Sequence, residues 1–93
     1  MAEKNNTRLL AAIMFADMVG YIKLMQQDES MAKLKRDQQR KIVDEKILNH
    51  RGQVMQYYGD GTLSMFSSAI EAVHAAREIQ LELQKDPVVP MRI

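Results

Sequence analysis

The sequence predicts a mixed α/β domain whose elements run strand, helix, strand, strand, helix, strand. Three observations predict it. An apolar run, Leu9 to Ala16, stops at Asp17 and passes through Gly20 into helix-like sequence. Two stretches of strand character, Gln53 to Tyr58 and Thr62 to Phe66, flank Gly59-Asp60-Gly61, and Asp-Gly between such runs is a hairpin signal. Apolar residues at helical spacing fill two further segments, one on each side of that hairpin.

Residues 1–8 are polar and are expected to form a flexible lead-in, with the domain spanning 9–93. The eight apolar residues from Leu9 to Ala16 do not alternate with polar ones, which predicts a strand buried on both faces. Gly20 permits a tight turn, and Tyr21 to Gln26 begins a short helix. Ser30 is the expected N-cap of a second helix, Met31 to about His50, whose middle, Lys35 to Lys41, is polar and expected to be solvated. Gly52 is the expected C-terminal stop. In the second strand of the hairpin, Leu63 and Met65 fall on one face and Thr62, Ser64 and Phe66 on the other. Ser68-Ala69-Ile70-Glu71 matches a capping box for a helix running to about Gln84, which Lys85-Asp86-Pro87 ends. Met91-Arg92-Ile93 opens a fourth strand that is cut off almost at once.

Composition narrows the function. With 93 residues there is one domain at most. Hydrophobic residues make up 46% and charged residues 27%, which excludes a disordered chain. The net charge of +1 gives no electrostatic argument for nucleic acid or an anionic membrane, and acidic residues interrupt the Lys/Arg-rich part of the second helix. No cysteine is present, so there is neither a disulfide framework nor a thiolate metal site, and a cytoplasmic setting is expected. Lys4 and Arg8 precede an apolar run, but eight residues before an acid is too short for a membrane span, and the flanks do not suit a signal peptide.

The element order is that of a ferredoxin-like β-α-β-β-α-β core. In that layout the first and second strands are parallel, with the third between them and antiparallel to both. The end of the first strand then lies beside the start of the third, so Asp17 and Asp60 arrive at the same edge of the sheet. Taken alone, Asp17 reads first as a turn or capping aspartate. Two converging carboxylates suit a hard divalent cation such as magnesium, or an acid/base pair of the glycoside-cleaving kind. The small domain offers no deep cleft for the latter. His50, at a helix end where positive charge is favoured, and His74, read as a surface residue beside Val73, are poor candidates for catalysis, and the eight methionines are read mostly as core fill.

The segments F-A-D-M-V-G-Y at 15–21, Y-G-D-G-T-L-S-M-F at 58–66 and S-A-I-E-A-V-H-A-A-R-E-I-Q at 68–80 resemble class III adenylate/guanylate cyclases of the bacterial type, in order and in spacing. The resemblance covers the chain from Leu9 onward and implies the amino-terminal half of a catalytic domain. It implies conversion of ATP or GTP to the 3′,5′-cyclic nucleotide and pyrophosphate, for signalling, with two magnesium or manganese ions held at a homodimer interface. It places the catalytic, metal-holding acids at Asp17 and Asp60, with the Met18 carbonyl also on metal. It puts the triphosphate against Val19, Gly20 and Tyr21.

Three departures qualify these expectations. Ile22 stands where the family often has Thr or Ser. Gln56 stands where adenylate-specific relatives often carry Lys and guanylate-specific ones Glu, so the base is open. The later residues that meet ribose and triphosphate would follow Ile93, so the chain alone is expected to be inactive. The rival reading is a non-catalytic cyclase-like module that senses nucleotide or only pairs with a partner. A diguanylate-cyclase-like domain is disfavoured because Gly59-Asp60-Gly61-Thr62 does not match its hairpin, and an RNA-binding module because aromatic stacking motifs are missing. The open edge of the first strand, beside so short a fourth, is expected to drive dimers or larger assemblies.

Overall fold

The computed structural model describes residues 11–85 and 90–93. The expected lead-in, the strand start at Leu9 and Leu10, and the Asp86-Pro87 stop lie outside the described residues. The elements are β1 (Ala12–Met18), α1 (Tyr21–Gln27), α2 (Glu29–Asn49), β2 (Gln53–Tyr58), β3 (Gly61–Phe66), α3 (Ala69–Leu83) and β4 (Met91–Arg92). They form one four-stranded sheet in the order β2-β3-β1-β4, with β3 antiparallel to both β1 and β2, as the ferredoxin-like reading requires.

The helices cover one face of this sheet. Met14, Ala16 and Met18 of β1 point into the core with Phe66 of β3, against Val43 and Ile47 of α2 and Ala75 and Ile79 of α3. The small polar residues Thr62 and Ser64 share that inner face, and Ser64 has no exposed surface at all; its hydroxyl donates to the Met14 carbonyl at 3.4 Å. The alternation in β3 is therefore as expected, with its polar-looking face turned inward. Small side chains there let the helices approach the sheet closely.

The other face of the sheet is bare, which corrects the expectation that β1 is buried on both sides. Ile13 and Phe15 are 53% and 59% exposed. In register beside them stand Met65 and Leu63, opposite Gln53 and Gln56 of β2. Apolarity on both faces of β1 thus marks a surface that the described residues do not cover. β4 pairs only with Asp17 and Met18, so the edge of β1 from Ala12 to Ala16 has no neighbour on that side among the described residues. Gln80 of α3 donates to the Met91 carbonyl at 2.8 Å and pins β4 in place.

Helix boundaries bring further corrections. The N-cap of α2 is Asp28, whose side chain accepts from the Met31 N–H at 3.0 Å, and not Ser30. The same residue closes α1, its own N–H donating to Leu24 at 2.7 Å. One aspartate thus ends one helix and starts the next. At the other end of α2, Arg51 takes the left-handed backbone (φ 62°) and Gly52 follows it. Gly52 N–H donates to Ile47 and Arg51 N–H to Leu48, the two bonds of a Schellman motif. Gly52 serves packing instead: a Cβ there would lie 2.4 Å from the Phe66 ring and 2.8 Å from Ile47. The middle of α2 is not wholly solvated, because Gln39 is buried. Of the methionines, Met14, Met18 and Met91 are core residues, whereas Met31 and Met55 are exposed.

Candidate functional site

The β2–β3 loop has two residues, Gly59 and Asp60, with Gly61 already in β3 opposite Tyr58. Only Gly59 takes positive φ (56°), the pattern of a type II′ turn, so the Gly-Asp pair forms the turn where Asp-Gly was expected to. Gly61 also pairs with Asp17, and Asp17 with Arg92. Tyr58, Gly61, Asp17 and Arg92 therefore form one row across all four strands. Directly opposed residues in such a row sit about 4.5–5.5 Å apart. The empty position at Gly61 is filled by the Tyr58 ring, which a Cβ there would meet at 2.5 Å. That ring also meets Phe15 edge-on at 6.4 Å. Partial burial, then the charges of Asp17 and Asp60, push the Tyr58 phenol above its ordinary range.

Asp17 and Asp60 both line one cleft of about 330 Å³, together with Met18, Gly20, Tyr21, Ile22, Lys23 and Arg92. The topology thus brings the two acids together. Met18 is buried on the inner face, so its backbone is what it offers the cleft. Gly20 takes left-handed backbone (φ 78°) and opens α1 without a side-chain cap. The Val19 N–H is already engaged, donating to Pro90 at 2.7 Å, which leaves Gly20 and Tyr21 as the turn's N–H donors. Tyr21 is buried, and its hydroxyl accepts from Arg36 at 3.4 Å. Ile22 is 73% exposed at the cleft wall. Gln56 lies away from the cleft, exposed on the bare sheet face in the row of Leu63 and Phe15.

Arg92 is the site residue that the sequence reading missed. Its Nε lies 3.3 Å from Asp17 Oδ1. Two residues of strand do not advertise a partner for an acid 75 positions away. Its signal lay in the ferredoxin-like order, which puts a fourth strand beside the first. The donors at the cleft are carboxylate and carbonyl oxygens, the set a hard divalent cation takes. The guanidinium against Asp17 already occupies the place of a counter-cation. The two carboxylates lining this cleft fit a hard divalent cation.

The chain is 35% identical, over its whole length, to "Putative adenylate cyclase 3" of Rhizobium meliloti (strain 1021), of which it spans 17%. It superposes on an adenylate/guanylate cyclase/hydrolase from Silicibacter pomeroyi with a TM-score of 0.71 and 28% identity, over 89% of this chain and 56% of that one. In sequence and in fold it is similar to the catalytic domains of class III nucleotide cyclases. No protein-family model matches the chain. Two more distant structures share the cyclase-domain fold. A bacterial light-regulated adenylyl cyclase gives a TM-score of 0.76 at 19% identity, over 81% of this chain and 41% of that one. An adenylate cyclase from Trypanosoma brucei gives 0.75 at 18%, over 78% and 32%. The chain thus spans well under two thirds of each relative. Among the described residues, no helix is long and apolar enough to cross a membrane.

Proposed function

We propose that this chain is the metal- and triphosphate-holding part of a nucleotide cyclase domain, acting on ATP or GTP in the cytoplasm and completed by a second copy. The observation that carries the reading is the convergence of Asp17 and Asp60 on one cleft at the sheet edge, beside the Gly20 turn. Bound magnesium or manganese would supply charge neutralisation on the phosphates and an acidified ribose 3′-hydroxyl. Asp17 and Asp60 hold the cations, with the Met18 carbonyl beside them. Gly20 and Tyr21 direct N–H groups at the triphosphate, next to Val19. Arg92, once released from Asp17, is free to meet phosphate charge. Gln56, on the bare face, can both donate to and accept from a base. The bare face itself, with Ile13, Phe15, Leu63 and Met65, is where a second domain would close the pocket.

Calorimetric titration of manganese into the full chain, with and without a non-hydrolysable nucleoside triphosphate, tests the site. Asp60→Asn is expected to lower manganese affinity at least about tenfold, the loss of one carboxylate from a two-carboxylate site. Equal affinity in wild type and variant would remove the site. The chain on its own is expected to form little or no cyclic nucleotide, because the proposed pocket needs a second copy to complete it. Vigorous metal-dependent production of cyclic AMP or cyclic GMP would contradict that. A non-catalytic nucleotide-sensing or dimerisation module is the second reading. It is favoured by exposed Ile22, which presents methyl groups to the cleft where a hydroxyl would help hold phosphate.

A further inference from the structure

At the opposite end of the sheet, where β3 runs into α3, the structure gathers a second set of ligating groups. Glu71, His74 and Glu78 are spaced i, i+3 and i+7 on α3, which puts them on one helix face. His50, at the C-terminal end of α2, is inserted against that face. Its Nδ1 lies 3.3 Å from Glu71 Oε1 and its Nε2 lies 2.8 Å from Glu78 Oε2. The rings of His50 and His74 are 6.0 Å apart between centroids and inclined at 67°. One ligand atom from each of His50, Glu71 and His74 lies within 4.8 Å of the others. His74 is exposed, as expected, whereas the His50 side chain is only 15% exposed and doubly engaged.

We propose that His50, Glu71 and His74 form a binding site for zinc or a similar borderline divalent cation, with Glu78 as the group that orients His50. The geometry matches the chemistry at each point. Ligand atoms about 2.0–2.1 Å from a tetrahedral zinc are about 3.3–3.4 Å apart, the separation of the first His50–Glu71 pair. His74 is exposed beside His50, so a rotamer change of its ring can close the remaining gap. A metal-bound imidazole is fixed by a hydrogen bond from its other nitrogen to a carboxylate, which is the position of Glu78 on Nε2. Three protein ligands leave a fourth position open to water. Glu71 also opens α3: Ser68 Oγ caps the N–H groups of Ile70 and Glu71, while the Glu71 carboxylate turns to His50 instead of completing the capping box. Zinc there would clamp the end of α2 to the start of α3. This site is separate from the Asp17–Asp60 cleft, from which the length of β3 divides it by roughly 17 Å, and it does not rest on the cyclase reading.

The test uses the full untagged chain, stripped with a chelator and kept in excess magnesium, which saturates the carboxylate cleft and does not compete for imidazole. Zinc titration is expected to show one ion bound per chain, and cobalt in its place to give the visible absorption of a tetrahedral nitrogen/oxygen site. Glu78→Gln is expected to weaken zinc binding about 10–100-fold, and His74→Ala or Glu71→Gln by more. Asp17→Asn is expected to leave it unchanged. His74→Ala removes an exposed side chain, and circular dichroism of the variant checks its fold. Zinc affinity equal to wild type in folded His74→Ala, or no uptake by the wild-type chain, overturns the proposal.

Discussion

Phe66→Ala is expected to cost about 3–5 kcal/mol, the usual loss for emptying a buried aromatic position. That is most of the stability available to a domain of this size. Phe66 is 1% exposed and is the largest of the fully buried side chains. It ends β3 opposite Ala12 of β1, and its ring lies where a Gly52 side chain would have to go. Filling the neighbouring position should hurt for the opposite reason: Gly52→Ala drives a methyl into the same ring, and overpacking of this kind costs about 1–3 kcal/mol. The two substitutions share one volume, so their effects are expected not to add. Gly52→Ala combined with Phe66→Leu should be more stable than the sum of the single losses. Urea unfolding of the wild type, the two single variants and the double variant measures this, and strict additivity would show that the ring and the glycine do not share space.

The second large effect is expected on association. Phe15→Glu should turn an assembling chain into a monomer, because Phe15 is the most exposed of the apolar residues of β1 and sits in the middle of the bare sheet face. Truncating a central aromatic anchor of an interface commonly costs 2 kcal/mol or more, about thirtyfold in dissociation constant, and a carboxylate adds burial of an unpaired charge. The same change should leave monomer stability within about 0.5 kcal/mol, since the ring is solvated in the isolated chain. Sedimentation velocity across a concentration series decides it. A wild-type chain that stays monomeric at high concentration would show that the bare face is not a self-pairing surface.

The order of elements, the sheet order and the meeting of Asp17 with Asp60 were legible because periodicity and turn residues fix topology, and topology fixes which strand ends adjoin. What was not legible depended on distances between parts remote in sequence. The run from Leu9 to Ala16 shows that both faces of β1 are apolar; it does not say that only one has helices against it. Ser30 and Asp28 are both good caps, and the choice fell to Asp28 because the preceding helix ends there. Gly52 looks like a helix stop in sequence, yet the left-handed position belongs to Arg51 and the glycine answers to Phe66. Thr62 and Ser64 alternate as read, but alternation alone does not say which face is inner, and tight packing under the helices wants their small side chains. His50 and His74 are 24 positions apart and look unrelated until α2 and α3 are packed together.

Arg92 on Asp17 has a consequence for how ligands would arrive. A carboxylate with its own resident counter-charge resists being overfilled, so a metal at the proposed site would compete with the guanidinium for the same oxygen. Whatever draws Arg92 aside, an anion above all, would raise the metal's affinity, and by linkage the metal would raise the anion's affinity by the same factor. The pair would therefore act as an exchange point: neither partner would bind as tightly alone as both would together, and free metal at low concentration would leave the cleft neutral and closed to itself.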